Sequence, residues 1–147
     1  MSIHLRTGEV IYPIGEYELT ISFFDTIHCL LEKGTWGDTY PTLMQDLYAG
    51  KVAWKNMPKL KAELEEIRLK LSAFPPSALV WDRKDRSKRP PWGDKISKHI
   101  TDMSKYYVTA YGRDFFDVFN AAMEYAMKYK TDLRLESTYQ EEDEPDE

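Results

Sequence analysis

VWDRKDRSKRPPWGDKISKHITDMSKYYVTAYGRD, Val80 to Asp114, is the stretch around which the rest of the chain is organised. It is too polar for one strand. Pro90, Pro91, Gly93 and Gly112 break it too often for one helix. It holds two of the four tryptophans, Trp81 and Trp92. Aromatic rings and stiff turns at this density predict an ordered loop with a small core of its own. A shorter stretch echoes it, since Trp36-Gly37-Asp38 repeats as Trp92-Gly93-Asp94.

Working outward, both flanks carry regular patterns. After the loop, Asp114 is a predicted N-cap, with Asp117 in the first turn where the helix dipole favours an acid. The helix that follows places Phe115, Phe119, Ala122, Met123, Ala126 and Met127 on one broad face. Leu133 and Leu135 then alternate with polar residues as a last strand. At its start and within it, Leu79–Trp81 and Tyr106–Thr109 read as short strands.

Before the loop, Leu60, Leu64, Ile67, Leu71 and Phe74 step by three and four residues, predicting a helix from about Pro58 to Ala73. Lys59/Glu63, Lys61/Glu65 and Glu66/Lys70 are spaced to pair on its wet side. Pro41 suits the first turn of a short helix bearing Leu43, Met44, Leu47 and Tyr48. A longer helix is predicted from Glu16 to Lys33, burying Phe23, Phe24 and Ile27. Ile3 to Ile14 reads as a hairpin turning at Thr7-Gly8. The pattern predicts an α+β domain with a small mixed sheet and about four helices, the last helix linking two parallel strands.

A chain of 147 residues, 42% apolar and 14% aromatic, has material for one core. There is no apolar window long enough to span a membrane, and the first residues lack a signal-peptide pattern. The single cysteine, Cys29, sits in an apolar run, which points to a reducing cytoplasm. Six of the 25 acids lie at Glu141, Glu142, Asp143, Glu144, Asp146 and Glu147, leaving 19 acids against 20 bases in the body. We read residues 1–136 as the folded domain and 137–147 as a disordered acidic tail.

No residue set assembles a catalytic site. His28 and Cys29 are neighbours, so a helix points them about 100° apart and they share one ion poorly. With His4 and His99 they complete the possible soft ligands, and no metal motif or cofactor motif is present. His99 with Asp102, and Asp25 with His28, are each three apart and could orient an imidazole. Such spacings arise by chance, so surface hydrogen bonding is the simpler reading and a small hydrolase the remote one. Arg83, Lys84, Arg86, Lys88 and Arg89 between two tryptophans could hold single-stranded nucleic acid. Asp82 and Asp85 dilute that patch, which favours a solvated loop.

The set Tyr12-Pro13-Ile14-Gly15, WGDTYPTLMQDLYAGK from Trp36, PPWGDKIS from Pro90 and ITDMSKYYVTAYGRD from Ile100 resembles immunity protein family 70 of bacterial polymorphic toxin systems, including contact-dependent inhibition systems. The resemblance implies a cytoplasmic antitoxin that binds the C-terminal toxin domain of a cognate effector and blocks it. No catalysis and no cofactor are implied, and neither membrane nor nucleic acid is an expected partner. Trp36, Gly37, Tyr40, Pro41, Trp92 and Gly93 carry the motifs. If the toxin is a nuclease, exposed acids beside aromatics would meet its basic cleft. Asp38, Asp82, Asp85, Trp92, Asp94 and Asp102 are the expected partner-binding residues on that argument.

Overall fold

The computed structural model describes residues 1–138. The acidic segment expected to be disordered lies, from residue 139 on, outside them. Strand β1 (Ser2–Thr7) turns at Gly8 into β2 (Val10–Glu16), and helix α1 (Tyr17–Leu31) follows at once. A π-helical turn (Thr42–Leu47), the two-residue strand β3 (Lys51–Val52) and helix α2 (Met57–Leu71) come next. After the long loop, α3 (Phe115–Tyr129) leads into β4 (Leu133–Thr138).

The sheet order is β2-β1-β4-β3, and every pairing is antiparallel. The α+β class stands, but the sheet is not mixed. The expected parallel pair required a strand at Tyr106–Thr109, feeding α3 as a crossover. There, Val108 makes only an isolated bridge to Asp114, and the Tyr107 carbonyl accepts the Phe115 N–H at 3.0 Å. The chain folds back on its own helix instead of joining the sheet. Leu79–Trp81 is not a strand either. Both backbone polar groups of Val80 are taken by side chains of α1, which leaves nothing to pair in a ladder.

Hairpin register follows from alternation. Ile3, Leu5 and Thr7 point into the core, while Ser2, His4 and Arg6 face outward. Pro13 is tolerated because β2 is an edge strand, so its missing N–H breaks no inner ladder. A register shift between Ile3 and His4 leaves Ile14 unopposed, and Ile14 is fully buried.

On the outer face, Glu136 takes Arg6 through two bonds of 2.8 Å and His4 at 3.1 Å. The Arg6 guanidinium holds the Glu136 carboxyl down to about 2. An unfolded glutamate titrates near 4.3. The pair's contribution is therefore whole above that value and is lost as pH falls toward about 2. Glu136→Gln should cost no more than about 1 kcal/mol at pH 7, because Glu136 is one-third exposed and the pair is screened. Urea unfolding of both forms at stepped pH should show that difference shrinking below about pH 4.3.

The helices cover the other face. Leu60, Leu64, Ile67 and Leu71 are buried along α2, as its stripe requires. Of the three expected pairs, only Glu66–Lys70 forms among the described residues, at 3.6 Å. Glu63 instead accepts the backbone N–H groups of Thr42 and Leu43, at 3.1 and 2.9 Å. Asp114 caps α3 through the Phe116 N–H at 2.8 Å, as its position predicted. Phe23 of α1 sits at the centre of the core. Its ring lies 5.3 to 5.6 Å from those of Phe24, Tyr107, Phe115, Phe116 and Phe119.

Candidate functional site

The 80–114 loop is ordered by anchors at both ends and turns between them. At the start, Ser22 and Thr26 donate to the Val80 carbonyl at 2.7 and 3.0 Å. The buried Tyr107 hydroxyl closes this network against Ser22 and Thr26 at 3.0 and 2.7 Å. Burial pushes that phenol upward, so it stays protonated and can donate. Further on, the Met103 N–H bonds the Phe74 carbonyl and the Ala110 N–H bonds the Ile14 carbonyl, both at 3.0 Å. The loop thus ties α1, the turn after α2 and β2 together.

Arg83, read from sequence as one of a basic run, is a clip. Its N–H and Nε meet the Asp25 carboxylate at 3.0 and 3.4 Å, and its guanidinium lies 4.7 Å from the Trp36 ring. Burial pushes the Asp25 carboxyl up, and Arg83 opposes that push. Asp25 and His28 do not form a dyad. His28 pairs with Glu32, the residue that ends α1, at 2.9 Å. Burial also raises the Cys29 thiol, which keeps it a poor nucleophile.

The two Trp-Gly-Asp triplets share turn chemistry and little else. Gly37 and Gly93 both have positive φ, 82° and 58°. A Cβ at Gly37 would meet the Gln45 side chain at 2.5 Å, but Gln45 is exposed and can swing aside, so the positive φ is what calls for glycine there. Trp36 points inward, donates to the Met44 carbonyl at 2.6 Å and rests on Tyr48 at 4.9 Å. Trp92 points outward. It is 37% exposed, donates to the Tyr106 hydroxyl at 2.9 Å and stands edge-on to Trp81 at 5.4 Å.

Trp81, Trp92, Pro91 and Leu19 line an open apolar cleft of about 490 Å³, rimmed by Glu16, Glu18 and Arg89. None of the expected partner-binding acids lines this cleft. Asp82 takes the Lys84 N–H and pairs with Lys88, and Asp85 takes the Ser87 hydroxyl and N–H. These bonds hold both carboxyls below the usual range. Asp102 caps the turn Met103–Lys105 through the Ser104 N–H and hydroxyl, not His99, which is exposed. Asp94 is exposed next to Trp92, in the cleft formed with Arg89 and Tyr106. Asp38 is exposed on the other loop, bonded to the Thr39 hydroxyl.

Among the described residues, no group of three or more His, Cys, Asp or Glu is placed to hold a metal ion. None of their helices is long and apolar enough to cross a membrane. What the face offers is flat aromatic edges and fixed charges, the groups of non-covalent recognition.

One protein family, described as immunity protein 70, matches residues 5–135. The chain belongs to the immunity protein 70 family. The match runs from β1 through β4, so the whole fold carries the family pattern, and the sequence resemblance is confirmed. No curated protein and no solved structure matches the chain. Family membership makes this an immunity protein, with a toxin protein as the implied partner.

Sequence reasoning missed the anchor that sets the Trp36 loop. The Glu32 side chain is fully buried and accepts the N–H groups of Gly37, Thr39 and Tyr40 at 2.9 to 3.1 Å. No spacing rule marks a carboxylate that serves amides five to eight residues away. The only available signal was an acid placed directly before a loop rich in free N–H groups.

Proposed function

We propose that this immunity protein neutralises the C-terminal toxin domain of a cognate polymorphic-toxin or contact-dependent-inhibition effector by direct occlusion in the cytoplasm. It uses no chemistry of its own. Family membership across residues 5–135 is the observation that carries the reading. The exposed Trp92, set against Trp81 over an apolar cleft, supports it, because tryptophan is enriched among interface hot spots.

We take Trp92, in the cleft, and Asp94, exposed two residues further on, as the centre of this interface. Asp82, Asp85 and Asp102 serve their own loop, and Asp38 is left as an outlying contact. A nuclease toxin would find Asp94 and Asp38 the acids open to its basic cleft.

Co-expression with the C-terminal toxin domain of the cognate effector tests the proposal. Cells should survive only when this chain is present, and the purified pair should elute as a stoichiometric complex. Trp92→Ala should weaken binding about 30-fold, or about 2 kcal/mol, with the circular dichroism spectrum unchanged. Protection at far less than stoichiometric amounts would point to catalysis and overturn occlusion.

A further inference from the structure

Between Asp82 and Lys98, seven cations face three acids, so this segment is strongly basic in a chain that is acidic overall. Two of the seven are used by the fold, Arg83 by Asp25 and Lys88 by Asp82. Lys84, Arg86, Arg89, Lys95 and Lys98 are exposed and form no ion pair with a described residue. Glu16 and Glu18 line the same cleft as Arg89 without pairing to it. Five like charges on one loop repel one another, and a counter-charge brought there is favoured.

The sheet delivers one. Strand β4 ends at Thr138, which pairs with Ser2, and Ser2 in turn pairs with Glu16. Two strand spacings, about 10 Å, separate the last described residue from Glu16. Glu16 shares the cleft with Arg89 and Trp92, and Lys95 lines a neighbouring cleft that also includes Trp92. Residues 139–147 can span about 30 Å when extended. Six of those nine are Asp or Glu.

We propose that the acidic segment Glu141–Glu147 docks on the basic 84–98 face of the same molecule and neutralises it. Tethering keeps the segment at high effective concentration against this face, so individually weak ion pairs suffice. The chain then presents a near-neutral Trp cleft to the outside. Polyanions such as nucleic acid, which five open cations would otherwise attract, meet a filled site.

Amide spectra of the full chain test this. The comparison is between wild type and a full-length form carrying E141Q, E142Q, D143N, E144Q, D146N and E147Q. Shifts should cluster at residues 84–98, and wild type in roughly 0.5 M salt, where screening acts within about 4 Å, should move toward the neutralised form. In an R86E/R89E background, neutralising the tail should no longer move the 84–98 amides. Shifts confined to residues 136–147, or centred on another face, would overturn the proposal. So would shifts that grow with protein concentration, which would place the segment on a second copy.

Discussion

Phe23→Ala should lower the unfolding free energy by about 3–5 kcal/mol, the usual cost of removing a buried phenyl ring. Domains of this kind hold only about 5–15 kcal/mol in reserve. The thermal midpoint should drop by roughly 10–15 °C at about 3 °C per kcal/mol. Phe23 is where the cost should be greatest, because its ring is completely buried among five others. Those neighbours come from α1, from α3 and, through Tyr107, from the long loop. A void there loosens three segments at once, and none can move in to fill it without dragging its own hydrogen bonds. Leu69→Ala is the control, since Leu69 is 73% exposed and should change stability by under about 0.5 kcal/mol. Denaturant titration of the two variants decides the matter, and a Phe23→Ala loss below about 1 kcal/mol would show that the ring cluster is not the keystone of the core.

Glu32→Ala should cost about 3 kcal/mol, although it removes no large apolar surface. Its carboxylate lies inside the protein and satisfies three backbone N–H groups and His28. Both oxygens are used, Oε1 by Gly37 and His28 and Oε2 by Thr39 and Tyr40. Glu32→Gln should therefore be nearly as damaging, because its amide nitrogen would face donors where an acceptor is needed. The loss should be local first. Amides of residues 35–41 should exchange faster with solvent, and Trp36, which rests on His28, Tyr48 and Arg83, should change its emission. Hydrogen exchange that speeds up evenly over the whole chain would contradict this assignment.

The elements that could be read from sequence share a property: their cause lies within about one helical turn or one strand pair. The α2 stripe, the α3 cap at Asp114 and the hairpin turn at Gly8 all follow from neighbours in the chain. The errors have a common cause as well. Tyr106–Thr109 has the composition of a strand, but its backbone groups are claimed close by: the Tyr107 carbonyl takes the Phe115 N–H, the Thr109 N–H goes to the Arg113 carbonyl, and Val108 bridges Asp114. Arg83 was read as one charge in a row, and its partners Asp25 and Trp36 lie 58 and 47 positions earlier in the chain.

Taken by itself, the sequence determined the α+β class, the three amphipathic helices, the opening hairpin and, through its motif set, the family. Those depend on side-chain periodicity and turn chemistry, which operate over a few residues. Only the tertiary structure decided that the sheet is wholly antiparallel, that Trp36 turns inward while Trp92 turns outward, and that Glu32 holds its loop from inside. Burial is a property of the assembled fold, and two triplets of identical residues acquire different roles because different neighbours cover them.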